Sequence, residues 1–260
     1  MSVTKAKILK LLSNTRIHTR YRSILNRYRE NPEYAKLAYH NTNHVIAVLN
    51  LFEVLRKLSG KGFSKHLLDQ VYLAIAFHDI EHSGHPDLAT GADGKKNIVR
   101  ALDAFEQWRE SDTITDEQAA IVAFVIRSTQ YPSMPGLSCS SAELAELANM
   151  VRDADMLWGL MPGNAGACML GMRAEREAVG LPVEQDTLIC LKNQIEFIKD
   201  YKPHSSTGRM FKNALFEDAS TAWAEAALAE ERRRMIIAQT TQISSSLASQ
   251  LGRHRSLIYP

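Results

Sequence analysis

The sequence has few of the features that mark secreted, membrane-spanning or nucleic-acid-binding proteins. Its three cysteines, Cys139, Cys168 and Cys190, are widely spaced and form no CxxC pair, which indicates reduced thiols rather than a disulfide framework. Its apolar runs, such as VYLAIAF at 71–77, are too short to cross a bilayer, and no apolar signal core opens the chain. The formal net charge is only +2, which argues against a positive electrostatic potential over the whole surface that would attract nucleic acid. We therefore expect a cytoplasmic protein with no membrane partner.

Basic residues are concentrated in two places. Residues 1–30 carry eight Lys or Arg residues and a single acid, Glu30, a pattern typical of a transit peptide, a basic arm or a solvated basic helix. We interpret them as a basic N-terminal helical extension of a single domain spanning 1–260. The ERRR run at 231–234 could add an RNA-binding surface, but the acidic AEAALAEE segment before it offsets that charge. We expect no nucleic-acid partner.

The spacing of apolar residues predicts an all-α protein. Helices are predicted over 43–58, 64–77, 116–126 and 140–157, followed by a long Ala-rich C-terminal helix over 214–250. Ser64 and Ser141 are in position to cap the N-termini of two of these helices. Loops are predicted at 83–95, 128–140 and 201–210, which are rich in Gly, Pro and Ser. We find no hairpin signal and no internal repeat, and nothing divides the chain into two domains.

Histidine is concentrated in one part of the chain. Six of the nine histidines lie between residues 40 and 85, and four of them form two pairs with four-residue spacing. These pairs are His40 and His44 in YHNTNH, and His78 and His82 in HDIEH. Because side chains at i and i+4 share one face of a helix, two helices could aim both pairs at a common point. Asp79 lies directly beside His78.

Two further carboxylates follow on a predicted apolar helix, Asp153 and Asp155 in RDADML. Imidazoles together with carboxylates suit zinc, iron or manganese, and a harder second ion where oxygen ligands dominate. A single histidine beside a core segment, such as His66 or His204, is usually a hydrogen-bonded structural residue, whereas two spaced pairs with an adjacent Asp are seldom explained that way. For the RDADML carboxylates taken alone, a position on the helix surface is an equal alternative.

The motifs in these segments resemble those of the HD superfamily of metal-dependent phosphohydrolases. More narrowly, YHNTNH followed by HDIEHSG is similar to the paired signatures of cyclic nucleotide phosphodiesterases. NQIEFI adds Gln194 three residues before Phe197, the spacing at which that family reads a purine edge and stacks on its face. Since QxxF also occurs by chance, the alternative is a core Phe197 with Gln194 on the surface. The resemblance implies a compact multi-helix bundle around a buried metal site.

The resemblance also implies roles for individual residues. The ligands of a first ion, zinc, iron or manganese, would be His44, His78, Asp79 and Asp155. Asp155 is preferred over Asp153 because the family motif places its last ligand directly after Ala and before a large apolar residue. Asp79 would bridge to a second ion, magnesium or manganese.

The implied reaction is hydrolysis of a 3′,5′-cyclic nucleotide to the nucleoside 5′-monophosphate by a metal-bound hydroxide. His40 would act as the general acid that protonates the leaving alkoxide. His82 would orient water, and Glu81 would fix an imidazole tautomer. Gln194 and Phe197 would bind the base.

Two other functions stay open at this point. An HD nucleotidase or pyrophosphohydrolase would use the same ions on a noncyclic phosphate ester. A helical binding protein with a vestigial site is the alternative from another class, although drift would be expected to remove at least one ligand from the set. A small-molecule nucleotide is the expected partner, and a homodimer is left open.

Overall fold

A computed structural model gives the fold. It describes residues 5–13, 24–26, 30, 37–82, 96–110, 113–130, 139, 141–161, 164–184 and 186–258. The predicted loop at 83–95, most of the loop at 128–140 and much of the basic extension at 1–30 lie outside the described residues.

The all-α prediction is confirmed, since the described ranges contain helices and no strand. The helices are α1 Lys5–Ser13, α2 Thr42–Ser59, α3 Lys65–Phe77, α4 Lys96–Arg109, α5 Asp116–Ser128, α6 Ala142–Leu157, α7 Ala165–Ala178, α8 Thr187–Asp200 and α9 Ser206–Ile258. A short 3₁₀ helix, Trp158–Leu160, follows α6. Within this part of the chain, none of the helices is both long and apolar enough to span a bilayer.

Polar side chains set where several helices begin. The hydroxyl of Ser64 accepts the N–H of Leu67 at the start of α3, and Ser141 caps α6 in the same way, as the sequence predicts. Asn41 caps α2, where its side-chain oxygen accepts backbone N–H groups of the first turn, including that of His44. These hydrogen bonds satisfy donors that have no partner within the helix, and each is worth about 1 kcal/mol.

The core forms where α2, α3 and α6 pack against one another. Fully buried apolar side chains come from all three helices, among them Phe52, Leu55, Phe77, Leu147 and Val151. Burial of each such side chain stabilises the fold by roughly 1.5–3 kcal/mol. On one side α4 and α5 pack on α3, while α9 packs on α2 and α6 and carries α7 and α8. The N-terminus of α2 and the C-termini of α3 and α6 are thereby brought together.

The long C-terminal helix begins earlier than predicted. Residues 206–210, which the sequence places in a loop, form the first turn of α9. The cause is tertiary: Asp153 on α6 accepts both the N–H and the hydroxyl of Ser205, and that hydroxyl in turn accepts the N–H of Gly208. A Cβ on Gly208 would lie 2.2 Å from an oxygen of Asp153, so only glycine permits this approach. The helix also continues past its predicted end at 250, to Ile258.

Candidate metal centre

Four of the predicted site residues meet at the junction of three helices. His44 lies in the first turn of α2, His78 and Asp79 follow the last residue of α3, and Asp155 lies in the last turn of α6. Each offers one nitrogen or oxygen atom, and these four atoms all lie within 4.8 Å of one another. Residues far apart in the sequence therefore form one compact group of donors.

The spacing of these atoms fits a shared cation. The Nε2 of His44 lies 3.0 Å from Asp79 Oδ2 and 3.1 Å from Asp155 Oδ1, and the Nε2 of His78 lies 3.3 Å and 3.5 Å from the same two oxygens. Ligand atoms bonded at ~2.0–2.2 Å to one ion are separated by roughly 2.8–3.6 Å. Among the described residues, both Nε2 atoms and Asp79 Oδ2 are buried without a hydrogen-bond partner. Such atoms are costly to bury unless something pairs with them, and two nitrogens with two carboxylate oxygens suit zinc, iron or manganese.

Neighbouring groups hold the two imidazoles in place. The Nδ1 of His78 lies 2.8 Å from the carbonyl oxygen of Ile75 and donates to it, which leaves the lone pair on Nε2, the atom that faces the carboxylates. The ring of Tyr39 stacks on that of His44 at a centroid distance of 5.3 Å. The Tyr39 hydroxyl in turn accepts the indole N–H of Trp158 at 3.1 Å. These contacts give the cluster a fixed geometry.

Burial and mutual attraction shift the pKa values of the cluster in opposite directions. Burial alone would lower the pKa of His44, but its contacts with Asp155 and Asp79 outweigh burial and raise that pKa. Burial would likewise lower the pKa of His78, but the charge of Asp79 and the contacts with both carboxylates together raise it well above its usual value. Burial would raise the pKa of Asp155, but its contacts with the two imidazoles lower the value to about 2. The carboxylates are therefore ionised at neutral pH, when a cation or protons on the imidazoles can balance them.

A second polar group adjoins the first and contains His40, His82 and Glu175. The rings of His40 and His82 stack with their centroids 3.6 Å apart. Glu175 Oε1 forms a short hydrogen bond with His40 Nδ1 and lies 3.8 Å from His82 Nδ1. Each histidine of the first pair thus contacts one of the second pair, since His40 stacks on His82 and His44 lies beside His78.

Glu175 is the site residue that the sequence reasoning missed. It lies on α7 and is 3% exposed, and its Oε2 accepts the backbone N–H groups of Tyr39 and His40, each at 2.9 Å. One turn earlier, a Cβ on Gly171 would lie 2.7 Å from the carbonyl oxygen of Ala38. Gly171 therefore lets α7 approach the segment before α2 closely enough for Glu175 to reach it. A glycine four residues before a glutamate is the signal that could have pointed to this contact.

His82 is neutral in this environment. Burial and the charge of His40 lower the pKa of His82 to about 3. The side-chain amide nitrogen of Asn97 on α4 lies 2.9 Å from His82 Nε2, so this nitrogen accepts and the ring proton lies on Nδ1. The neutral ring of His82, with Nε2 near Asn97 and Nδ1 near Glu175, can orient polar groups but carries no charge.

A cavity of about 260 Å³ opens onto both groups. Gln194 and Phe197, the two predicted base-binding residues on α8, line this same cavity together with Asp79 and Asp155. Phe197 is 38% exposed, so the alternative that buries it in the core does not describe its position. The amide nitrogen of Gln194 lies 3.5 Å from the Cys168 sulfur.

Two expectations need correction, and one open alternative does not fit the structure. The paired histidines do not project from two helix faces: His40 precedes α2, and His78 and His82 lie in the turn after α3. Glu81 is exposed with a left-handed φ of 59°, and the tautomer-fixing contact of His78 comes from the backbone instead. Asp153, which spacing alone left open as a ligand, points away from the cluster and accepts hydrogen bonds at the start of α9.

The chain matches no protein-family model, and a search of curated proteins found no significantly similar sequence. The fold and the cluster are nevertheless compatible with an HD-like domain, because the described chain is all-helical and buries His and Asp side chains that could hold a metal ion.

Proposed function

We propose that this protein is a metal-dependent phosphohydrolase whose substrate is a nucleotide phosphodiester, a 3′,5′-cyclic nucleotide that it converts to the nucleoside 5′-monophosphate. One observation carries the proposal. One part of a single cavity is lined by the His/Asp cluster, and another part is lined by the ring of Phe197 and the amide of Gln194. A nucleotide requires both, since its phosphate is anionic and its base has a flat apolar face with polar edges.

The metal would be held by His44, His78, Asp79 and Asp155, and a second cation would share Asp79. Bound there, divalent cations supply a Lewis acid for the phosphoryl oxygens and activate water for attack on phosphorus. The protein's own part is to present the Nε2 atoms of two imidazoles, that of His78 with its lone pair free, and two ionised carboxylates. His44 and His78 are buried, and charge interactions beside them are stronger than in bulk water.

His40 is the general acid in this proposal. Burial would raise the pKa of Glu175, but its hydrogen bonds with His40 lower it, so Glu175 is an anion at neutral pH. That anion fixes His40 Nδ1, which leaves Nε2, on the opposite edge, to donate to the leaving alkoxide. The neutral ring of His82 packs against His40 and limits its rotation.

Phe197 and Gln194 are the base-binding residues in this proposal. Their α-carbons lie three positions apart on α8, so their side chains share a helix face, and both reach the cavity. A base stacked on Phe197 would gain about 1–3 kcal/mol. The amide of Gln194 can present either a donor or an acceptor to the base edge, so this residue alone does not select adenine over guanine.

A noncyclic phosphate ester is the second candidate substrate, as in an HD nucleotidase or pyrophosphohydrolase. Arg176 favours it, because this exposed side chain also lines the cavity. A guanidinium can bind a further phosphate through two parallel hydrogen bonds, which a cyclic monophosphate does not need.

A hydrolysis screen tests the proposal. Protein loaded separately with zinc, manganese and magnesium is assayed against cyclic nucleotides, nucleoside monophosphates and nucleoside triphosphates, with product identified by chromatography. We expect 5′-monophosphate from a cyclic nucleotide, and no turnover by Asp79→Ala. The matched control Asp103→Ala removes an exposed carboxylate on α4 and should retain full activity. Turnover of monophosphates or triphosphates alone would favour the second candidate, and no turnover of any compound would leave a binding protein.

A further inference from the structure

Gln130 is a buried amide with an unsatisfied acceptor. It follows α5, and only 9% of its surface is exposed. Its Oε1 atom is covered and has no hydrogen-bond partner among the described residues. The same side chain lines the cavity that contains Asp79 and Asp155. Among the described residues that line the cavity, and apart from the His/Asp cluster, Gln130 is the only one with a buried side-chain polar atom that lacks a hydrogen-bond partner.

Neighbouring polar groups in the cavity wall do have partners, which makes Gln130 an exception. The hydroxyl of Thr129 donates to the carbonyl oxygen of Ile126 at 2.8 Å, and the amide of Asn97 donates to His82. Buried polar groups are generally paired, and a buried acceptor without a donor costs folding free energy. An apolar side chain of the same size would avoid that cost in the free protein. The amide is therefore explained if its partner arrives with a ligand.

We propose that Gln130 is a substrate-binding residue whose Oε1 accepts a hydrogen bond from the 2′-hydroxyl of a ribonucleotide. This inference rests on the proposed function. If the phosphate lies at the His/Asp cluster and the base lies against α8, the sugar lies between them and is open to the α4 and α5 side of the cavity. Gln130 belongs to that side, since it extends directly from α5.

The chemistry of the substrate selects the hydroxyl. In a 3′,5′-cyclic nucleotide both the 3′ and 5′ oxygens are esterified, so the 2′-hydroxyl is the one donor left on the sugar. Phosphate oxygens and the ring oxygen are acceptors and would be repelled by Oε1. A site built to bind a hydroxyl rejects the analogue that lacks it, because the acceptor then stays unpaired. The enzyme should accordingly discriminate ribose from 2′-deoxyribose.

Thermal unfolding of the metal-loaded protein gives the first arm of the test. Gln130→Met keeps the size of the side chain and removes the unpaired acceptor, so its melting temperature should rise by about 2–4 °C. Gln107→Met changes an exposed glutamine on α4 and should leave the melting temperature unchanged. A fall in melting temperature for Gln130→Met would overturn the proposal, because it would assign Gln130 a structural role.

The second arm compares 3′,5′-cyclic AMP with its 2′-deoxy analogue. We expect the wild-type protein to prefer the ribonucleotide by roughly 5–150-fold in kcat/KM, the range for one hydrogen bond to a buried acceptor. Gln130→Met should lose this preference, chiefly through a higher KM for the ribonucleotide. An equal preference in wild type and variant, or none in wild type, would overturn the role of Gln130. If the wild type turns over neither nucleotide, the proposed function fails, and calorimetric affinities for the same pair then decide the Gln130 proposal by the same criterion.

Discussion

Glu175 holds His40 by its ring and by its backbone at once. One carboxylate oxygen pairs with the ring Nδ1, while the other accepts the His40 backbone N–H at 2.9 Å. Because Glu175 lies on α7 and His40 precedes α2, this bidentate contact fixes the orientation of the imidazole relative to the rest of the cavity. The proposed acid is therefore held in position before substrate arrives.

Neutralising that carboxylate should impair turnover more than folding. Glu175→Gln keeps an oxygen that can accept the backbone N–H groups but removes the charge next to His40. We expect kcat to fall about 10²-fold, the cost of misplacing a catalytic group, with metal content unchanged. Glu177→Gln alters an exposed residue on the same helix and is the matched control. Unchanged kcat on substrates with poor leaving groups would remove His40 and Glu175 from the proton-transfer step.

The contrast between His40 and Glu175 shows what the sequence could reveal. The histidine pairs predict a site because four imidazoles at regular spacing beside an aspartate are a rare pattern. Glu175 lies in MRAEREAVG, among charged residues typical of an exposed helix face, and it is buried only because α7 packs against residues 38–40. That contact is long-range, so the charge pattern around Glu175 does not predict it.

The two aspartates of RDADML should respond differently to loss of charge. Asp155→Asn should abolish metal binding and lower the stability of the metal-free protein less than Asp153→Asn does. Asp153→Asn should destabilise the protein by at least about 3 kcal/mol, because buried Asp153 accepts hydrogen bonds from the Tyr201 and Ser205 hydroxyls and from two backbone N–H groups. Elemental analysis and thermal unfolding of both variants separate the roles. Loss of metal in Asp153→Asn without loss of stability would reverse the assignment.

Zinc affinity should increase with pH. In the metal-free protein the pKa values of His44 and His78 are raised, so their protonated forms stabilise the fold. That stability is fully present below the unfolded value of ~6.5 and is lost as the pH rises through the raised values. Zinc needs the same nitrogens deprotonated, so its affinity should rise about tenfold per pH unit for each imidazole that must lose a proton.

Competition titrations against a chromophoric chelator between pH 6 and pH 9 measure this dependence. His66→Ala removes an exposed imidazole in the first turn of α3, at the opposite end of that helix from His78, and should leave the slope unchanged. An affinity independent of pH over this range would mean that the two imidazoles do not bind the ion.

Truncation of Phe197 should weaken nucleotide binding while sparing the fold. Since the ring is 38% exposed, Phe197→Ala should not produce the loss of about 3–5 kcal/mol that core phenylalanines show. The KM for a nucleotide should rise roughly 5–150-fold, and hydrolysis of a base-free nitrophenyl phosphodiester should stay the same. Leu188→Ala, which truncates another exposed apolar residue of α8, is the control. Equal damage to both substrates would reject the stacking role.

Helix positions were predictable where local chemistry sets them, and less so where packing does. Ser64 and Ser141 begin helices as predicted because each cap is a hydrogen bond within one turn. The sequence predicts too late a start for α9, because Ser and Gly are typical of loops. In the structure, hydrogen bonds between Asp153 and Ser205 and between Ser205 and Gly208 begin the helix there. The same holds for the site. Local sequence patterns predict its ligands, but the cavity that joins these ligands to Phe197 depends on how the helices pack.

Metal stoichiometry of purified wild type and Asp79→Ala, measured by elemental analysis after equilibration with zinc and removal of unbound ion, tests the central claim most directly. We predict at least one zinc ion per wild-type chain, the same content in Asp103→Ala, and loss of the bound ion in Asp79→Ala. Thermal unfolding without metal should show that Asp79→Ala is folded. Wild-type zinc content in folded Asp79→Ala, or no bound zinc in wild type, would contradict the account.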